Sequence, residues 1–138
     1  MAFWYPDHNV GYYCEIEQCL PDQFIFYWEA LCVLSALSHA ATTSEKPIKI
    51  LIFMDNTNTV DIFHALRCLP EYNAILKSSV DICLETNHQL CVLHVPGESN
   101  LIADALSRKD FVKAIANTPG LKLQFFEPPH LTLGAAKK

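Results

Sequence analysis

Charge, glycine and ordered cysteine spacing are all scarce in this chain, and each shortage removes a class of function. Charged residues make up 18% of the 138 and leave a formal net charge of -5. There is therefore no general attraction to nucleic acid, and any such contact must be local or shared with other domains. With four glycines in the whole chain, no Gly-rich phosphate loop or dinucleotide fingerprint is present, and no Ser-His-Asp order is found either. The six cysteines, Cys14, Cys19, Cys32, Cys68, Cys83 and Cys91, are irregularly spaced without a CxxC pair. That favours reduced thiols inside a core over a disulfide framework or a zinc site. No apolar stretch reaches membrane-spanning length, because Phe24 to Leu37 is too short and carries Glu29. No basic region precedes an apolar one at the N-terminus. An intracellular protein, cytoplasmic or nuclear and without membrane association, is expected.

What is abundant is apolar: 51% of the residues, enough to bury the core of one domain. The run Ile50, Leu51, Ile52, Phe53, Met54 has no polar alternation and predicts a central strand, Lys49 to Met54, covered on both faces. It runs into Asp55 and then a polar turn that starts a helix, Thr59 to Leu69, stopped by Pro70. Upstream, Ala2 to Tyr5 and Tyr12 to Glu17 read as a hairpin with one wet face, and Cys19 to Gln23 as a connector. Phe24 to Ala41 reads as a long apolar helix. Downstream come a helix over Asn73 to Thr86, with Leu76, Val80, Cys83 and Leu84 inward, and a covered strand over Leu90 to Val95. A helix capped by Asn100 runs to about Ala116, with Leu101, Ile102, Ala105 and Leu106 inward. The last residues read as a tail containing a short strand-like Leu121 to Phe126 and a basic end. Strands joined through helices imply parallel pairs with right-handed crossovers, and the hairpin implies an antiparallel edge. The fold class is mixed α/β.

Three carboxylates stand out. Asp55 follows five apolar residues, where a charge is costly unless solvated, paired or bound to a cation, and Thr57, Asn58 and Thr59 can cap the next helix in its place. Glu29 is the one formal charge in an apolar helix. A first-turn glutamate favouring the helix dipole is the bland explanation; a site shared with Asp55 is the functional one. Asp104 precedes Arg108 by one turn, the favourable order for an ion pair, yet its helix begins just beyond a strand end. Carboxylates gathered at a sheet edge repel each other and make sense chiefly as Mg²⁺ or Mn²⁺ ligands. His94, inside the second strand, reads as a hydrogen-bonded core residue, and His39, His64 and His88 show no metal spacing.

The segment HVPGESNLIADALSR, His94 to Arg108, resembles the last strand and helix of the ribonuclease H domain in retrotransposon reverse transcriptases. FYWEALCVLSAL, Phe26 to Leu37, is similar to the first helix of that family, and LIFMDNTNTVDIF, Leu51 to Phe63, to its fourth strand and aspartate. The opening aromatic run and the later Leu-Pro-x-Tyr-Asn resemble the version in fungal elements of the DIRS, or tyrosine-recombinase, type. The resemblance covers Met1 to Phe126. It implies a ribonuclease H-like mixed sheet with helices on both faces over residues 1–116, with a C-terminal tail over 117–138. It also implies hydrolysis of the RNA strand of an RNA-DNA hybrid by two metal ions about 4 Å apart, with Glu29, Asp55 and Asp104 as Mg²⁺ or Mn²⁺ ligands. Contacts to the hybrid would be mainly to sugar and phosphate.

The family pattern has a fourth acid, on a first strand that precedes the hairpin, and this chain lacks that strand. Asp7 lies in the hairpin turn and cannot replace the acid, and Glu98 or its neighbours stand where some relatives carry a mobile histidine. The expectation is a polyprotein fragment with weak or absent activity, its missing strand lying in an upstream segment, supplied by a reverse transcriptase domain or a second copy, or not supplied at all. An exposed edge left by that strand predicts dimerisation or aggregation. A non-catalytic interaction module is the competing expectation. A transposase or integrase of the same fold ranks behind both, because those expect aspartate, aspartate, glutamate in chain order.

Overall fold

The computed structural model describes residues 1–15, 25–68 and 70–129. The chain is a mixed α/β protein with five α-helices and two small sheets among those residues. Strands β1 (Ala2–Tyr5) and β2 (Val10–Tyr13) form the expected antiparallel hairpin, closed by a turn in which Asn9 takes a φ of 52°. The connector, Glu17, Cys19 and the basic end lie outside the described residues, and the other five cysteines are free thiols. Helix α1 (Ile25–Thr43) carries apolar residues all round and is accordingly buried along most of its length, with Leu31, Leu34 and Leu37 at or below 1% exposure. It leads to β3 (Lys49–Met54), α2 (Thr57–Ala65), α3 (Asn73–Thr86) and β4 (Gln89–His94).

Strands β3 and β4 pair in parallel, Lys49 opposite Gln89 through Met54 opposite His94. Bonds from Gln89 N–H to the Ile48 carbonyl and from Val95 N–H to the Met54 carbonyl bracket the pair. Ile50, Ile52 and Met54 thus aim their amides at β4, while Lys49, Leu51 and Phe53 aim theirs at the opposite edge. On the hairpin, Met1 and Cys14 exchange two backbone bonds, so Phe3 and Tyr5 face β2 and Ala2 and Trp4 face the other edge.

After β4 the single helix expected to Ala116 is two: α4 (Leu101–Ser107) and α5 (Phe111–Asn117). The break is a Schellman turn. Lys109 adopts a φ of 58°, its N–H donates to the Leu106 carbonyl, and Asp110 N–H donates to the Ala105 carbonyl. Asp110 then caps α5 by accepting from Lys113 N–H at 3.2 Å. Strand β5 (Lys122–Phe125) falls in the stretch set apart as a tail, but it is a sheet strand, parallel to β2, which gives the order β1-β2-β5.

One core joins both sheets. Met1, Leu34, Phe63, Ile75, Val92 and Phe126 belong to a continuous cluster, with Phe3 and Tyr12 of one sheet and Ile52 and Met54 of the other packed against it. Helices α4 and α5 cover the far face of the three-stranded sheet, where Leu106 and Leu121 meet Ala2 and Trp4. The far face of β3 has no such cover: Leu51 is 48% and Phe53 53% exposed. The expectation of a central strand covered on both faces is therefore corrected, because β3 is an edge of a two-stranded sheet. On α3 the inward residues are Ile75, Leu76 and Ser79, whereas Leu84 points to solvent, and Leu101 of α4 is exposed as well.

Candidate functional site at the tip of the third strand

The tip of β3 is built by local sequence. Asn56, with extended backbone, caps α2 by accepting from Thr59 N–H at 3.0 Å. The cap is thus neither Asp55 nor one of the three residues after Asn56. Asp55 itself is exposed, which removes the desolvation penalty that made it conspicuous in the sequence. Glu29 sits in the second turn of described helix, beyond the first turn where the helix dipole would account for it.

The fold brings Glu29 and Asp55 together. The Glu29 carboxyl is held above the usual carboxylate range, first by burial and then by the charge of Asp55, and the Thr59 hydroxyl, 3.5 Å from Glu29 Oε2, works in the opposite direction. The turn after β4 closes on the same tip, since a Cβ placed on Gly97 would lie 3.7 Å from Asp55 Oδ2. Asp104, one helix further on, is engaged elsewhere: Arg108 Nε donates to its Oδ1 at 3.1 Å, the ion pair that the spacing allowed. His94 is corrected from core to surface. It is exposed at the end of β4, in register with Met54, and so stands at the same tip. A histidine ending an apolar strand level with an acid-tipped neighbour is the signal that could have marked it. His64 and His88 instead serve structure, through the Val92 carbonyl at 2.6 Å and the Ile48 N–H at 3.1 Å.

Among the described residues no group of three or more histidine, cysteine or acidic side chains could hold a metal ion. One acidic pair provides too few oxygens for two octahedral cations. The described donors do not fit the two-metal centre that the resemblance implies. What the pair can do is attract one hydrated cation at low affinity. No helix among the described residues is long and apolar enough to cross a membrane. Comparison with known proteins adds nothing to this picture: no family profile, curated protein or solved structure matches the chain.

The Glu29 environment gives a prediction with a fixed sign. A carboxyl whose folded pKa is raised destabilises the fold once ionised. That penalty is absent below its unfolded value of about 4.3 and grows as pH rises through the folded value. Glu29→Gln should melt higher than the natural chain at about pH 7 and lose that advantage at about pH 3. Thermal denaturation at both pH values decides it, and a Gln variant that is less stable at neutral pH would show that the ionised carboxylate is stabilising.

Proposed function

We propose that the chain is a ribonuclease H-like domain of retroelement origin whose ancestral activity, two-metal hydrolysis of RNA in RNA-DNA hybrids, is weak or absent. The observation that supports this reading is the convergence of Glu29 and Asp55 at the tip of a parallel strand pair, with the Gly97 turn closing on it. These are the positions that the resemblance assigns to the first helix, the fourth strand and the final turn. Weak or absent activity is supported by the donor set, in which Asp104 is tied to Arg108 and, among the described residues, no third acid joins the remaining pair. If any hydrolysis persists, Glu29 and Asp55 would hold the Mg²⁺ or Mn²⁺ together with phosphate oxygens of the hybrid.

The test is incubation of the purified chain with a labelled RNA-DNA hybrid in Mg²⁺ and in Mn²⁺. The expected result is weak, salt-sensitive binding with slow cleavage or none, any cleavage being abolished by Asp55→Asn. Rapid Mg²⁺-dependent turnover would overturn the weak-activity part. Absence of hybrid binding even at low salt would favour the second reading, a non-catalytic interaction module. That reading is favoured here by a donor set that is incomplete, and by sheet edges that are unpaired, among the described residues.

A further inference from the structure

A cavity of about 360 Å³ lies between β5 and the C-terminal half of α1, whereas Glu29 sits in the second turn of that helix. Its base is aromatic. Phe3 and Tyr12 stack with centroids 5.1 Å apart, Phe126 leans on Phe3 at 4.9 Å, and the His39 ring lies 4.4 Å from Tyr12. At the small end of the range for ligand pockets, about 300–1,000 Å³, this space holds a ring system and not a folded partner.

The polar wall has a definite hydrogen-bond sense. Ser35 donates its hydroxyl proton to the Leu31 carbonyl at 2.7 Å, and Thr42 donates to the His39 carbonyl at 2.9 Å. Toward the cavity both oxygens can therefore only accept. Glu127, exposed at the rim, adds an ionised acceptor. His39 supplies a donor. Burial pushes the Tyr5 hydroxyl up to about 12, so it stays protonated and donates to His39 Nδ1 at 2.8 Å. Burial also lowers the His39 ring from its usual range, so the ring is neutral at about pH 7 and carries its own proton on Nε2. Among the described residues that Nε2 has no hydrogen-bond partner, and no lysine or arginine lines the cavity.

We propose that this cavity binds an uncharged, amino-substituted heteroaromatic ring, whose exocyclic amine donates to the acceptor wall while a ring nitrogen accepts from His39 Nε2. A flat ring suits the aromatic base. A phosphate or carboxylate does not suit the wall, because it would set acceptors against acceptors and meet Glu127 without a cation. An adenine-like edge, with an amine beside a ring acceptor, meets both demands. The site is separate from the Glu29–Asp55 pair and stands whether or not the chain cleaves RNA.

The probes are adenosine, purine riboside, which differs only in lacking the amine, and adenosine monophosphate, which adds the charge of a nucleotide. Each is titrated into the full chain at about pH 7 while backbone amide NMR shifts are followed. Adenosine should give saturable shifts centred on His39, Thr42 and Gln124, half-complete at about 1 mM or below. Purine riboside should bind about fivefold more weakly, the effect of one lost hydrogen bond, and adenosine monophosphate more weakly than adenosine. Thr42 and Glu127 are both exposed, so Thr42→Val with Glu127→Leu should fold. In that double variant the preference for adenosine over purine riboside should vanish while purine riboside still binds, a pattern that a merely structural role would not produce. Thr42→Val alone, with a reduced preference, serves if the double variant loses the natural circular dichroism. Four outcomes would overturn the site: no saturable shift with adenosine, shifts centred away from these residues, adenosine monophosphate binding as tightly as adenosine, or an undiminished amine preference in a folded variant. Tight binding of the monophosphate would point to nucleotides or nucleic acid as the source of the ring.

Discussion

Leu34→Ala is expected to lower stability by about 3 kcal/mol, at the middle of the range for a buried leucine truncated in a core that cannot collapse around it. Leu34 has no exposed surface, and its cluster takes residues from both sheets and from α2 and α3. The cavity would therefore open where every layer meets, with no solvent edge from which to relax. In a chain of this size such a loss corresponds to a fall of roughly 10 °C in melting temperature. Trp28 on α1 and Trp4 beside α4 report on different parts of the molecule, which makes urea denaturation by fluorescence and circular dichroism informative. One core shared by both sheets predicts a single transition that shifts as a whole. A loss below about 1 kcal/mol, or a split into two transitions, would show that the sheets are separate folding units.

The strands and long helices were legible because periodicity encodes them directly. Lys49 to Met54 and Asn73 to Thr86 have the bounds read from the apolar run and the helical spacing. The misses have physical causes. An unbroken apolar run states that a strand prefers cover, not that cover is present, so Leu51 and Phe53 could not be known to be bare. The α4–α5 break was hidden because the left-handed position of its Schellman turn is occupied by Lys109, where glycine is the usual signal. On α3, Cys83 packs as expected against the cluster of Leu37, Ala40 and Ile50, whereas Val80 suited the inward stripe as well as Ile75 and Ser79 did but is only half-buried, and the direction from which α1 and the sheet approach decided between them. The pairing of β5 with β2 joins residues over a hundred positions apart, a choice that local pattern does not contain. At the site, the approach of Glu29 to Asp55 was suggested by the apolar surroundings of each carboxylate in the sequence, and the Asp104–Arg108 ion pair by its helical spacing. Whether Asp104 would turn to the strand tip or to Arg108 was not, because an exposed helical ion pair and an acidic cluster differ by only about a few tenths of a kcal/mol to a few kcal/mol, depending on solvent access.

A close approach between two layers provides the second large effect. Gly11 lies in β2 under α4, and a Cβ placed on it would stand 2.7 Å from Leu106 Cδ1 and 3.5 Å from its Cδ2. Leu106 has no exposed surface and is enclosed by Ile102, Ala105, Ala114 and Leu121, so its side chain has nowhere to swing. Gly11→Val should destabilise by about 1–3 kcal/mol through overpacking, and Leu106→Ala by about 2–5 kcal/mol through the cavity it leaves. The two lesions are complementary in shape, since the valine methyls point into the space that the leucine vacates. The double variant should therefore be more stable than the sum of the single losses predicts, with a coupling of about 1 kcal/mol or more. Urea titration of the four proteins measures that coupling. Additive losses would mean that Gly11 and Leu106 do not touch, and that α4, with the acidic residue Asp104 it carries, sits elsewhere on the sheet.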